Sequence, residues 1–145
     1  MQIVIDASAL LKAYFPDEEG YEKAQDIVFN YSIGKLNLHA PSLIDYEISN
    51  AIWIAYKRGR INFDEAKDIY RKILNLDIRR YDIEFFQEGI LDICKKFNIS
   101  VYDASYLLLA EKLNINVVTG DKKLFNAVRN KLKNLILVEE FNTYY

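Results

Sequence analysis

One cysteine, Cys94, one histidine, His39, two prolines and five glycines are all that these 145 residues contain of four residue types. A single cysteine closes no internal disulfide and builds no Cys-rich zinc site. A single histidine argues against a histidine-based triad and rules out a multi-histidine metal centre, so any metal chemistry must rest on oxygen ligands. No apolar run approaches the roughly 20 residues that a spanning helix needs. The start, Met1-Gln2-Ile3-Val4-Ile5-Asp6, lacks the basic segment and long apolar stretch of a secretory signal. A cytoplasmic, thiol-reducing setting away from any membrane is therefore expected. Neither G-x-G-x-x-G nor G-x-x-x-x-G-K-[ST] occurs, which removes the common nucleotide fingerprints.

What is present suits a folded domain. Hydrophobic residues make up 51% of the chain, too many for a disordered one. The length predicts a single domain over residues 1–145. The net charge of −2 gives no bulk grip on nucleic acid. Its distribution is uneven: residues 1–53 carry three lysines against eight acids, and residues 54–80 carry eight basic residues against four acids. Such a basic stretch could contact phosphates, although a solvated helix face is the plainer reading.

Ile3-Val4-Ile5 reads as a strand buried on both faces, with helical spacing from Asp6 to Tyr14. Helices are predicted over about 18–33, 43–58, 62–75, 83–97, 102–113 and 122–131, and strands over 36–40, 77–81, 116–119 and 135–138. Strands alternate with helices, so the class is α/β with a mainly parallel sheet. His39 reads as structural and Cys94 as core filler. Trp53 and Tyr56 read equally well as core or as interface, in a chain with 14% aromatic residues. Lys57-Arg58-Gly59-Arg60 reads as the charge complement of a helix C-terminus, or as a phosphate contact. Tyr144 and Tyr145 read as a frayed end.

Four acids stand out by position. Asp6 follows the first strand directly, and Asp121 follows Asn116-Val117-Val118-Thr119-Gly120. In an open parallel sheet ligands bind beyond the carboxyl ends of the strands, so two acids set there by two strands can meet. Asp103 opens a strongly apolar helix. Glu47 has Ile44 at i−3 and Ala51 at i+4, which puts it on or beside an apolar face that Asn50 shares. Charges so placed are costly unless paired or metal-bound, and carboxylates brought together repel one another. No arginine or lysine stands obviously beside each. A divalent cation answers both problems, and an all-oxygen cluster that keeps water positions open suits Mg²⁺ or Mn²⁺. Such an ion activates water and neutralises charge on a phosphodiester. Singly, each acid has a plainer reading. Asp6, Asp103 and Asp121 could cap helices, Asp121 could complete a Gly-Asp turn, and Glu47 could accept a buried tyrosine bond.

Four segments carry a resemblance: Val4-Ile5-Asp6-Ala7-Ser8-Ala9-Leu10, Tyr46-Glu47-Ile48-Ser49-Asn50-Ala51, Tyr102-Asp103-Ala104-Ser105-Tyr106 and Val118-Thr119-Gly120-Asp121-Lys122-Lys123-Leu124-Phe125. In this order and spacing the chain resembles the PIN-domain ribonucleases, and most of all the small VapC-like toxins of toxin–antitoxin pairs. The resemblance implies a three-layer α/β/α PIN-like domain and Mg²⁺- or Mn²⁺-dependent endonucleolytic cleavage of RNA. It makes Asp6, Glu47, Asp103 and Asp121 the catalytic, metal-site acids. Asp6 and Asp103 are then direct ligands, Glu47 acts directly or through a water, and Asp121 completes a second, weaker site. Ser8, Asn50 and Thr119 fit supporting roles around those carboxylates. It further implies a homodimer and a VapB-like antitoxin partner.

Two other classes fit part of the pattern. One is a non-catalytic PIN-like module that binds RNA or protein. The other transfers phosphate through an aspartyl phosphate, for which Asp6 is compatible. A phosphatase of that kind would want an acid at position 8, where this chain has Ser8, and a receiver domain would want an acidic pair before its first helix.

Overall fold

The structure is a computed structural model and describes residues 1–143; Tyr144 and Tyr145, read above as frayed, lie outside the described residues. Five strands are described: β1 (Gln2–Ile5), β2 (Asn37–Pro41), β3 (Arg79–Tyr81), β4 (Asn116–Thr119) and β5 (Leu135–Leu137). They form one sheet in the order β3-β2-β1-β4-β5, and every pairing is parallel. Ile3, Val4, Ile5, Val117 and Val118 are all buried, as central strands covered on both faces require.

Seven α-helices join the strands: α1 (Ala7–Leu11), α2 (Tyr21–Ser32), α3 (Ile44–Lys57), α4 (Phe63–Leu74), α5 (Gly89–Phe97), α6 (Val101–Leu113) and α7 (Lys122–Val128). The chain moves outward from β1 to β2 to β3 through α1–α4. It then returns across the sheet to β4, on the other side of β1, through α5 and α6. Right-handed crossovers in opposite directions place these two helix groups on opposite faces, which makes the expected α/β/α sandwich. α6 spans β2, β1 and β4 and carries α5 on its back, while α1 packs against α2 and α3. The strand order reverses between β1 and β4, so the crevice of this fold opens beyond their carboxyl ends.

Several boundaries differ from expectation for local reasons. The single helix predicted over 83–97 is broken: a 3₁₀ turn at Ile83–Phe85 precedes α5, and Gln87 between them has φ 51°, outside the helical region. The helix predicted from 18 begins at Tyr21, because Gly20 turns the chain with φ 87°. The first helical stretch tightens to a 3₁₀ turn at Lys12–Tyr14, and α7 ends at Val128, short of 131. No helix among the described residues is long and apolar enough to cross a membrane.

Candidate active site

The crevice holds an acid from each of four segments. Asp6 stands one residue beyond β1 and caps α1: its Oδ1 accepts the Ala9 N–H at 2.9 Å and the Ser8 hydroxyl at 2.6 Å. Its Oδ2 accepts the hydroxyl of Thr119, the last residue of β4. Asp6 is 7% exposed and Thr119 fully buried. Burial pushes the Asp6 carboxyl above its usual range, and the bonds from Ser8, Thr119, Ala9 and Gly120 pull against that without reversing it.

Ser8 and Thr119 tie the two strand ends together. Ser8 Oγ accepts the Gly120 N–H at 2.9 Å, and Thr119 Oγ1 accepts the Asp121 N–H at 3.0 Å. Asp121 caps α7, its Oδ1 taking the Leu124 N–H at 3.0 Å. The capping reading therefore holds for Asp6 and Asp121, and it leaves lone pairs on both carboxylates free. For Asp103 it does not hold. The cap of α6 is Ser100, whose Oγ accepts the Asp103 N–H at 3.1 Å, so the Asp103 carboxylate has no part in starting its helix.

Glu47 reaches the crevice from α3. Its Oε1 accepts the Tyr106 hydroxyl at 2.6 Å, the tyrosine bond named above as the plainer alternative. Burial is the main cause that raises the Glu47 carboxyl, and the charges of Asp6 and Asp103 raise it further. Asp103 is likewise raised by burial and then by the charge of Asp121. Each acid thus feels at least one other. None of the four forms a salt bridge among the described residues, so no lysine or arginine there is directly paired with them.

This donor set fits a hard divalent cation: oxygen atoms only, carrying charge that no salt bridge among the described residues compensates. As the side chains stand, no three His, Cys, Asp or Glu groups among the described residues close around one point.

Asn50 is exposed and bonds to none of the acids among the described residues. Tyr106 was given no role in the sequence reading, although it lies in the Asp103 segment at i+3 and is the one phenol in the buried run Ala104–Ala110. His39 is buried and structural, with its two ring nitrogens bonded to Tyr81 and Gln2. Trp53 is 51% exposed, which removes it from the core. Arg60 is engaged by Asp17 at 2.8 Å and Glu18 at 3.1 Å, over the ring of Phe15.

The comparisons with known proteins agree with this architecture. A family model described as the PIN domain matches residues 3–131. The chain is 31% identical over 127 residues to Ribonuclease VapC3 of Pyrobaculum aerophilum, covering 86% of this chain and 92% of that one. It is 34% identical over 122 residues to Ribonuclease VapC9 of Mycobacterium tuberculosis, covering 84% and 87%. Among solved structures, PAE2754 from Pyrobaculum aerophilum superposes with a TM-score of 0.69 at 26% identity, over 96% of this chain and 93% of that one. VapC20 of Mycobacterium tuberculosis, described as a Sarcin-Ricin loop cleaving toxin, shares the fold with a TM-score of 0.62 at 14% identity, over 86% and 94%.

Proposed function

From the premise that this chain belongs to the PIN-domain family, alongside the VapC ribonucleases, we propose that its four acids form the active site of a divalent-metal-dependent endoribonuclease. The observation that carries this reading is the pairwise repulsion that runs from Asp6 and Asp103 to Glu47 and from Asp121 to Asp103, with none of the four in a salt bridge among the described residues.

The reaction is hydrolysis of an RNA phosphodiester bond. Mg²⁺ or Mn²⁺, held by Asp6 and Asp103 with Glu47 beside them, would supply an activated water and offset the charge on the phosphate. Asp121 adds negative charge next to Asp103 and completes a second, weaker position. The protein's own part is orientation. Ser8 and Thr119 grip the Asp6 carboxylate from two sides, so the lone pair left on Oδ2 keeps one direction. Burial of Asp6 among apolar strand ends lowers the local dielectric and strengthens every charge interaction there. We read residues 1–145 as one such domain acting in the cytoplasm. By the same kinship it is the toxin half of a pair, a homodimer matched to a VapB-like antitoxin.

The test is Asp6→Asn assayed on single-stranded RNA in Mg²⁺ and in Mn²⁺. Asparagine keeps the Oδ1 that caps α1 and loses the charge, so the fold should survive by circular dichroism. Cleavage should fall on the order of 100-fold or more. Undiminished cleavage by the folded variant would overturn the assignment.

A further inference from the structure

Tyr106 is a phenol set in an apolar helix. Every residue of α6 from Ala104 to Ala110 is buried, and Tyr106 itself is 3% exposed. Phenylalanine would fill that space equally well; the hydroxyl is the part that needs a partner. It donates to Glu47 Oε1 at 2.6 Å. The phenol's single hydrogen is therefore committed to Glu47, and Oε1 is committed to accepting it. Two parts of the acid site meet in this bond: α6 one turn after Asp103, and Glu47 on α3.

We propose that Tyr106 is a positioning residue for the cation: its hydroxyl pins Glu47 Oε1 and reserves Oε2 for the metal or for a metal-bound water. The proposal rests on the reading of the acids as a cation site. Glu47 needs such a restraint. Its side chain is only half-buried, and both Asp6 and Asp103 repel it, so in the metal-free protein an unheld carboxylate would swing toward solvent. Holding it in place means that ion binding does not have to order it first. Partners of this kind behind a metal ligand typically contribute 10- to 100-fold in affinity.

The experiment is calorimetric titration of the full chain with Mn²⁺ alone. Tyr106→Phe should weaken Mn²⁺ binding about tenfold while circular dichroism stays that of the wild type. In a Glu47→Ala background the same substitution should change affinity by less than about twofold, because the hydroxyl acts only through Glu47. Equal affinity of wild type and Tyr106→Phe overturns the proposal, as does an equal loss in both backgrounds, which would mark a general structural effect. Absence of Mn²⁺ binding to the wild type at millimolar metal would overturn the cation reading beneath it, and it is distinguishable because the unaltered protein then shows no heat. Should Tyr106→Phe fail to fold, proton NMR of the wild type decides. A slowly exchanging Tyr106 hydroxyl proton that persists at saturating Mg²⁺ supports the clamp, and its loss on adding Mg²⁺ overturns it.

Discussion

Gly120 stands between Thr119, which donates to Asp6, and Asp121, which caps α7. A Cβ on it would lie 2.5 Å from Lys12 Cε and 3.0 Å from the backbone carbon and oxygen of Ser8. The lysine can swing aside. The Ser8 backbone cannot, because the first turn of α1 is fixed by the Asp6 cap. Gly120→Ala should therefore cost about 1–3 kcal/mol in urea unfolding. It should also lower RNA cleavage, since it pushes Ser8 away from the carboxylate it orients. Asp6 and Asp121 were legible because each follows a β-branched run, and strand ends in a parallel sheet are where ligands gather. Tyr106 was not. A single sequence shows a phenol three residues after Asp103, but nothing in it says which of eleven tyrosines reaches which acid. The same limit explains Asn50: helical spacing puts it near Glu47 but does not say whether its amide turns inward or toward water.

Element by element, local chemistry decided how far the reading went. α4 carries its own start signal. Asn62 Oδ1 accepts the Glu65 N–H at 2.8 Å, and Glu65 reaches back to the Asn62 N–H, a reciprocal capping box. Asn62→Ala should cost about 1 kcal/mol of stability in thermal or urea unfolding. Mn²⁺ affinity should not change, because α4 holds none of the four acids. β1 and β4 were readable from their β-branched runs and β2 from its alternation, and even the short edge strand β3 falls inside its predicted segment. The predicted helix at 83–97 failed because apolar spacing through Phe86, Ile90 and Ile93 continues across a backbone break. Periodicity reports which face is buried, not whether the hydrogen-bond ladder is intact, and the left-handed Gln87 has no compositional signature.

At the scale of the molecule, the acid site opposes folding whenever it is charged and empty of metal. Asp6, Glu47 and Asp103 all have carboxyls raised above their ordinary values, with burial as the first cause. The folded chain therefore binds these protons more tightly than the unfolded chain does. Their stabilising contribution is full below the unfolded values near 3.8 and 4.5 and is lost as pH rises through the raised folded values. His39 works the other way. Burial lowers it, so acidification through its folded value removes stability. A pH scan of one protein mixes the two signs, and a difference between two proteins separates them. In EDTA at pH 7, Asp6→Asn should melt at a higher temperature than the wild type, and the gap should close as pH falls toward about 4, because His39 contributes equally to both. Mn²⁺ should reverse the order. At about a hundred times its Kd it adds about 2.7 kcal/mol to the wild type and little to the variant that has lost a ligand. Differential scanning calorimetry of the two proteins, with and without Mn²⁺, reads all four states. A wild type that is the more stable in EDTA at pH 7 would mean that the bonds from Ser8, Thr119 and Ala9 outweigh the burial of that charge.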